Sequence, residues 1–277
     1  MNTPNDPAAM ESAFWCQYFR AAASAHDPLP WGDPTTLSSQ ESRSIQSSIQ
    51  QFQLGEGARG SRLLKRGQEF ANATADPHFV EALALFVKEE QRHSAYLLRF
   101  MQREGIPASS QHWVDTIFRR LRVLGGLELA LRVLVSAEII AIPYYRALGA
   151  ATQSPLLQAI CARILQDEAA HLRFQASMLW RLSTGRPRTA DRIVSAIHRL
   201  FLFVTCQVVW LEHRRVFRAA GYALGGFLAE TRWEFDRLDA AVGCGPLRAC
   251  IPVANEENEE PASASLRAER AMVKTQH

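Results

Sequence analysis

The 277-residue chain carries a net charge of +3, with 47% hydrophobic and 21% charged residues. That apolar share fills a sizeable core and excludes a globally disordered chain, and so even a charge balance excludes bulk electrostatic binding of nucleic acid as the default function. Five cysteines (Cys16, Cys161, Cys206, Cys244, Cys250) form no CxxC pair, which argues against a zinc ribbon or a disulfide framework and fits a reducing compartment.

The pattern is helical throughout: apolar residues recur at three- and four-residue spacing, and no alternating strand pattern occurs. Asp6 reads as an N-cap and Pro7 as the first residue of a short helix to about Ser24, followed by a loop with Pro28, Pro30 and Pro34. A first long helix is expected over 39–72. Asp76-Pro77 caps a second that runs to Glu104 and stops at Gly105 and Pro107. Ser109 or Ser110 opens a shorter helix that ends at Gly125-Gly126, and a third long helix covers Leu127 to Ala150. Ser154-Pro155 caps a fourth, which ends before Gly185 and Pro187. Helices over Thr189–Ala220 and Leu224–Ala241 follow, and the tail with Glu256, Glu257, Glu259 and Glu260 is expected to be disordered.

Four long helices in two closely coupled pairs, joined by a longer connection, give an all-α four-helix bundle with one long crossover. The expected division is an N-terminal helix and proline-rich loop over 1–38, the bundle over 39–182, additional helices over 183–243 and a tail over 244–277. Met1 to Ala8 carries no apolar signal core, and the run Leu200 to Leu211 is too short to span a bilayer. The expectation is a soluble cytoplasmic protein with that run buried against the bundle.

Two segments repeat a spacing, Glu90-Gln-Arg-His93 on the second long helix and Glu168-Ala-Ala-His171 on the fourth. A Glu and a His three residues apart on a helix can point at one metal ion. Both pairs fall on apolar stripes, Leu83, Phe86, Leu97 and Phe100 around the first and Leu157, Ile160, Ile164 and Met178 around the second. A carboxylate there costs several kcal/mol unless it is paired or bound to a cation. Glu56 stands on the stripe of Ile45, Ile49, Phe52 and Leu63, and Glu138 on that of Leu127, Leu131, Leu134, Ile142 and Tyr145. The chain therefore reads Glu, ExxH, Glu, ExxH, with one element per long helix.

That order resembles the ferritin-like di-iron carboxylate superfamily, and the resemblance covers 39–182, about half of the chain. It implies that Glu56, Glu90, His93, Glu138, Glu168 and His171 are metal ligands. The implied cofactor is a pair of iron ions, with a mixed manganese–iron pair as the alternative, because both metals accept this donor set. Four glutamates balance two divalent ions. In related enzymes an acid before the ligand Glu often holds the opposite His, which would have Glu89 orient His171 and Asp167 orient His93. The bland alternative pairs these acids with Arg92 or Arg163. Tyr145, seven residues beyond Glu138, falls on the ligand face as a candidate hydrogen-bond donor or redox-active phenol beside the metals, and Gln175 lies seven beyond Glu168, with core packing as the plainer role for each. Some N-oxygenases of the superfamily place a third His four residues before the second ExxH, where this chain has Ile164. His198 and His213 lie outside the motif and read as structural.

The resemblance implies an oxidoreductase that activates dioxygen to hydroxylate, N-oxygenate or desaturate a small organic or acyl substrate. The alternatives are a ferroxidase or peroxide-detoxifying protein of the ferritin or rubrerythrin kind, and a metal-binding bundle without turnover. The added helices favour the first, as a roof over substrate or a homodimer face. With no rubredoxin-type CxxC pairs, electrons would come from a ferredoxin or a separate reductase. Gly55, Gly57 and Gly60, with Pro143 opposite, suggest a widened pocket between the first and third helices. The arginine groups 119, 120, 122 and 214, 215, 218 could meet the phosphate of an acyl carrier, with solvated helix faces as the plainer account.

Overall fold

A computed structural model of the chain describes residues 7–24, 28–57, 60–109 and 125–244, and these form helices and turns with no strand. The helices are α1 Pro7–Ser24, α2 Ser39–Glu56, α3 Ser61–Thr74, α4 Pro77–Arg103, α5 Leu127–Ala150, α6 Pro155–Ser183, α7 Arg188–Ala219 and α8 Leu224–Cys244. Asp6, the helix expected between 109 and 126 with Arg119, Arg120 and Arg122, and the tail with Cys250 lie outside the described residues, apart from the ends of that connection.

Short polar side chains set the helix starts. Ser38 Oγ accepts from the Glu41 backbone N–H at 3.2 Å while the Glu41 carboxylate accepts from the Ser38 N–H at 2.8 Å, a reciprocal cap that opens α2. Glu41 also accepts from the Gln153 N–H at 2.6 Å and the Thr152 hydroxyl at 3.1 Å, which ties the start of α2 to the α5–α6 turn. Asp76 accepts from the His78 N–H at 3.1 Å ahead of Pro77, and Ser154 from the Leu157 N–H at 3.4 Å ahead of Pro155.

The helix expected to run unbroken over 39–72 is two helices. Gly57 closes α2, and Gly60, with φ +62°, opens α3 in the left-handed region. A Cβ at Gly60 would lie 2.8 Å from a Val87 methyl, and one at Gly57 would lie 3.0 Å from Ser94 Oγ. Both glycines thus serve close approach to α4. The space expected between α2 and α5 is taken by rings: Phe52 stacks on Tyr144 with centroids 3.3 Å apart and meets Tyr145 edge-on. Pro143 stands inside α5, which continues through it to Ala150.

The bundle is built from the α2–α4 and α5–α6 pairs, joined across α4 and α6. Helix α1 packs on α4, α3 bridges α4 and α5, α7 crosses α5 and α2, and α8 lies on α6 and α5. Asp76 Oδ2 accepts from Ser12 Oγ at 2.7 Å and from the Arg181 guanidinium at 2.8 Å, so one buried carboxylate fastens α1, α4 and α6.

Helix α7 departs from expectation. One face, with Leu202, Cys206, Val209, Trp210, Val216 and Phe217, is buried, but Ile193, Ile197, Leu200, Phe203, Val204 and Leu211 are each more than half exposed. The run 200–211 therefore lies across the surface of the bundle and not within it. By length and composition alone, α7 is the one helix among the described residues that could cross a membrane, and 33% of its apolar stretch is buried in the protein.

Candidate metal centre

The six motif residues converge in the middle of the bundle from four helices. Glu56 is the last residue of α2, Glu90 and His93 stand on α4, Glu138 on α5, and Glu168 and His171 on α6. They form two overlapping groups, Glu56, Glu90, His93 and Glu168, and Glu90, Glu138, Glu168 and His171. Within each group the donor atoms all lie within 4.8 Å of one another, and Glu90 and Glu168 belong to both. Two adjacent positions sharing two carboxylates is the geometry of a dinuclear centre.

Four of the six donors are held from outside. His93 Nε2 meets Asp167 Oδ2 at 2.9 Å, and His171 Nε2 meets Glu89 Oε2 at 3.1 Å. Both rings thus turn Nδ1 inward, and His171 Nδ1 meets Glu90 Oε1 at 3.0 Å and Glu168 Oε2 at 3.3 Å. Glu89 takes part in both contacts foreseen for it, because its other oxygen accepts from Arg92. The hydroxyl of Tyr145 donates to Glu56 at 2.6 Å, and the Gln175 amide donates to Glu138 at 2.8 Å. The site thus has a near-twofold plan: each ExxH His leans on the acid preceding the other ExxH Glu, and each lone Glu accepts from one neutral donor.

Burial sets the electrostatics. Desolvation first, and the Glu138 charge next, push Glu90 and Glu168 well above the usual carboxylate range. Desolvation also raises Glu56, opposed by His93. For His171 desolvation works against the imidazolium, but Glu168 and then Glu89 and Glu90 more than offset it and hold the ring well above its usual value. Without a cation, these surroundings favour the protonated forms of Glu90, Glu168 and His171.

No family model, curated protein or solved structure matches this chain. What speaks for a bound cation is the donor set. Glu168 Oε1 and His93 Nδ1 are buried without a hydrogen-bond partner 3.7 Å apart, and Glu90 Oε1 lies 3.7 Å from the same His93 Nδ1 and 3.0 Å from His171 Nδ1. Orphaned buried acceptors are rare and costly. Four Glu and two His side chains brought together in a bundle interior are a donor set that suits divalent cations. The residues present therefore fit a pair of divalent ions held by Glu and His.

Phe19, Phe86 and Phe174 wall the His171 side, with Phe86 edge-on to the imidazole at 4.9 Å. The site is less closed at Glu90, where 15% of the side chain is exposed.

Gln175 points inward, as its seven-residue spacing from Glu168 on one helix face implies. Ser48 carried no signal. Its hydroxyl donates to Tyr144 at 3.1 Å and stands 2.8 Å from His213 Nδ1, beside the Phe52–Tyr144 stack. His213 thus braces α7 on α2. His198 meets Ser136 Oγ at 3.0 Å, and burial with the Arg132 charge lowers its pKa to about 4, so it is a neutral packing residue. A third group, Cys16, His78 and Glu81, also has clustered donor atoms. There Cys16 donates to the His78 carbonyl and Glu81 is taken by Arg20, so the donors already have partners.

Proposed function

We propose that the chain is a ferritin-like di-iron carboxylate protein that activates dioxygen to oxidise a small organic or acyl substrate, with electrons delivered by a separate ferredoxin or reductase. The single observation that carries this is the convergence of four Glu and two His from four helices in two groups that share Glu90 and Glu168. When bound, a ferrous pair supplies the two electrons with which dioxygen is reduced.

The chain's own residues prepare the site. Glu90 and Glu168, which belong to both groups, would be shared by the two ions, and Glu56 with His93 and Glu138 with His171 would complete the two positions. Asp167 and Glu89 fix both imidazoles with Nδ1 inward and make them better donors. Tyr145 and Gln175 each engage one carboxylate oxygen, so Glu56 and Glu138 offer the other inward. The phenylalanine wall excludes water on the α6 side, and the Glu90 edge beside Gly57 is the natural approach for a reactant.

Anaerobic ferrous titration followed by air exposure tests this. Saturation at two irons per chain, then a transient visible band without further uptake, supports the proposal. Continued uptake with mineral growth would instead mean a ferroxidase. Equal weak binding by the native chain and by Glu138→Ala would mean that the six residues hold no metal.

A further inference from the structure

The outer face of α7 has no partner in the chain. Ile193, Ile197, Leu200, Val204 and Leu211 fall at spacings of four, three, four and seven, which is one stripe of a helix, with Phe203 on its flank. The stripe spans 18 residues, about 27 Å at 1.5 Å per residue. Six side chains more than half exposed present roughly 600 Å² of apolar area, the upper end of what a monomer shows.

Its charges are arranged around it. Arg188 and Arg192 precede the stripe, and Arg214, Arg215 and Arg218 follow it. All five are exposed, and none makes a side-chain hydrogen bond or ion pair among the described residues. The helix carries only two acids, Asp191 and Glu212, and Asp191 is engaged by Arg186 at 3.5 Å. The sixth arginine, Arg199, is paired with Asp236 at 2.7 Å.

We infer that this face docks on an anionic phospholipid bilayer, with α7 lying in the interface plane. An apolar stripe with free arginines at both ends complements acyl chains below and phosphate headgroups around. Two copies of the chain suit it less well. Antiparallel pairing of α7 with its copy brings Arg214, Arg215 and Arg218 against Arg188 and Arg192, and parallel pairing sets each arginine against itself. Spanning is excluded by the other face of α7, where His213 and His198 are bonded to Ser48 and Ser136 of the bundle. The inference is independent of whether the centre holds iron.

Co-sedimentation of the full chain with vesicles tests it, comparing phosphatidylcholine alone with phosphatidylcholine containing about one third phosphatidylglycerol. The expected result is binding at least about tenfold tighter to the anionic vesicles, weakened by high salt. Replacing Arg214, Arg215 and Arg218 by Gln should weaken it about fivefold per arginine. Leu200→Ser with Phe203→Ser and Val204→Ser should abolish binding, while circular dichroism and melting show the fold intact. Three results overturn the inference: no vesicle binding, equal binding to neutral and anionic vesicles, or a dimer in sedimentation equilibrium that the triple Ser variant dissolves.

Discussion

The centre of the bundle and the outer face of α7 invert the usual arrangement of a globular protein in opposite senses. In the centre, four carboxylates and two imidazoles occupy positions that apolar side chains normally fill; on α7, six large apolar side chains occupy positions that polar ones normally fill. Ordinary buried charge in this protein looks different: Asp76 is as deeply buried as Glu168, yet it has Arg181, Ser12 and the His78 N–H as partners. The difference separates a charge that the fold satisfies from a charge that awaits something outside the chain. The same test separates the buried stripe of α7, which finds α5, α2 and α8, from its exposed stripe, which finds nothing.

Breaking the satisfied charge should have the largest effect. Asp76→Ala leaves the Arg181 guanidinium buried and unpaired, and chemical denaturation should show a loss of about 3–5 kcal/mol. The awaiting charge should behave with opposite signs in two states. Glu90→Gln removes a donor common to both metal groups, so titration should fall from two ions towards none, whereas Glu56→Ala should leave one. The same Glu90→Gln change relieves a buried carboxyl in the metal-free chain, whose melting temperature should hold or rise.

Asp167→Asn keeps shape but weakens the hold on His93, and metal affinity should drop about 10–100-fold with the fold unchanged. A pH series sharpens the contrast further. Glu90, Glu168 and His171 all bind protons more tightly when folded than when unfolded. Above the unfolded values, the folded metal-free chain therefore carries more protons, and its stability should fall as pH rises. The window from about pH 7.5 to 8.5 shows this best, because His198, lowered to about 4 in the fold, is there almost wholly neutral in the unfolded chain as well. Divalent metal needs the deprotonated donors, so loading should cancel or reverse that slope in a melting series. The smallest effect is expected on α7, where Leu200→Ser should change stability by no more than about 0.5 kcal/mol.

Much of this was legible from residue order. Pro77 and Pro155 behind Asp76 and Ser154 mark helix starts through chemistry confined to a few neighbours, and the α5 limits at Leu127 and Ala150 follow from Gly126 and the loss of apolar periodicity. The two ExxH elements and the two lone glutamates stood on apolar stripes, so their convergence needed only that the helices pair. The break at Gly57–Gly60 was not legible. Glycines at that spacing fit a thinned helix as well as a broken one, and only Val87 and Ser94 on α4, in contact through space, decide between them.

The sequence by itself determined which segments are helical, where each begins apart from α3, and which six donors share the inward faces, because capping, periodicity and three-residue spacing are local. Tertiary structure alone decided which donors are shared by two positions, which acids stand behind which imidazoles, and that one apolar face of α7 remains outside. Those depend on the crossing of helices distant in sequence, and an apolar stripe is the same in sequence whether a neighbour covers it or solvent meets it.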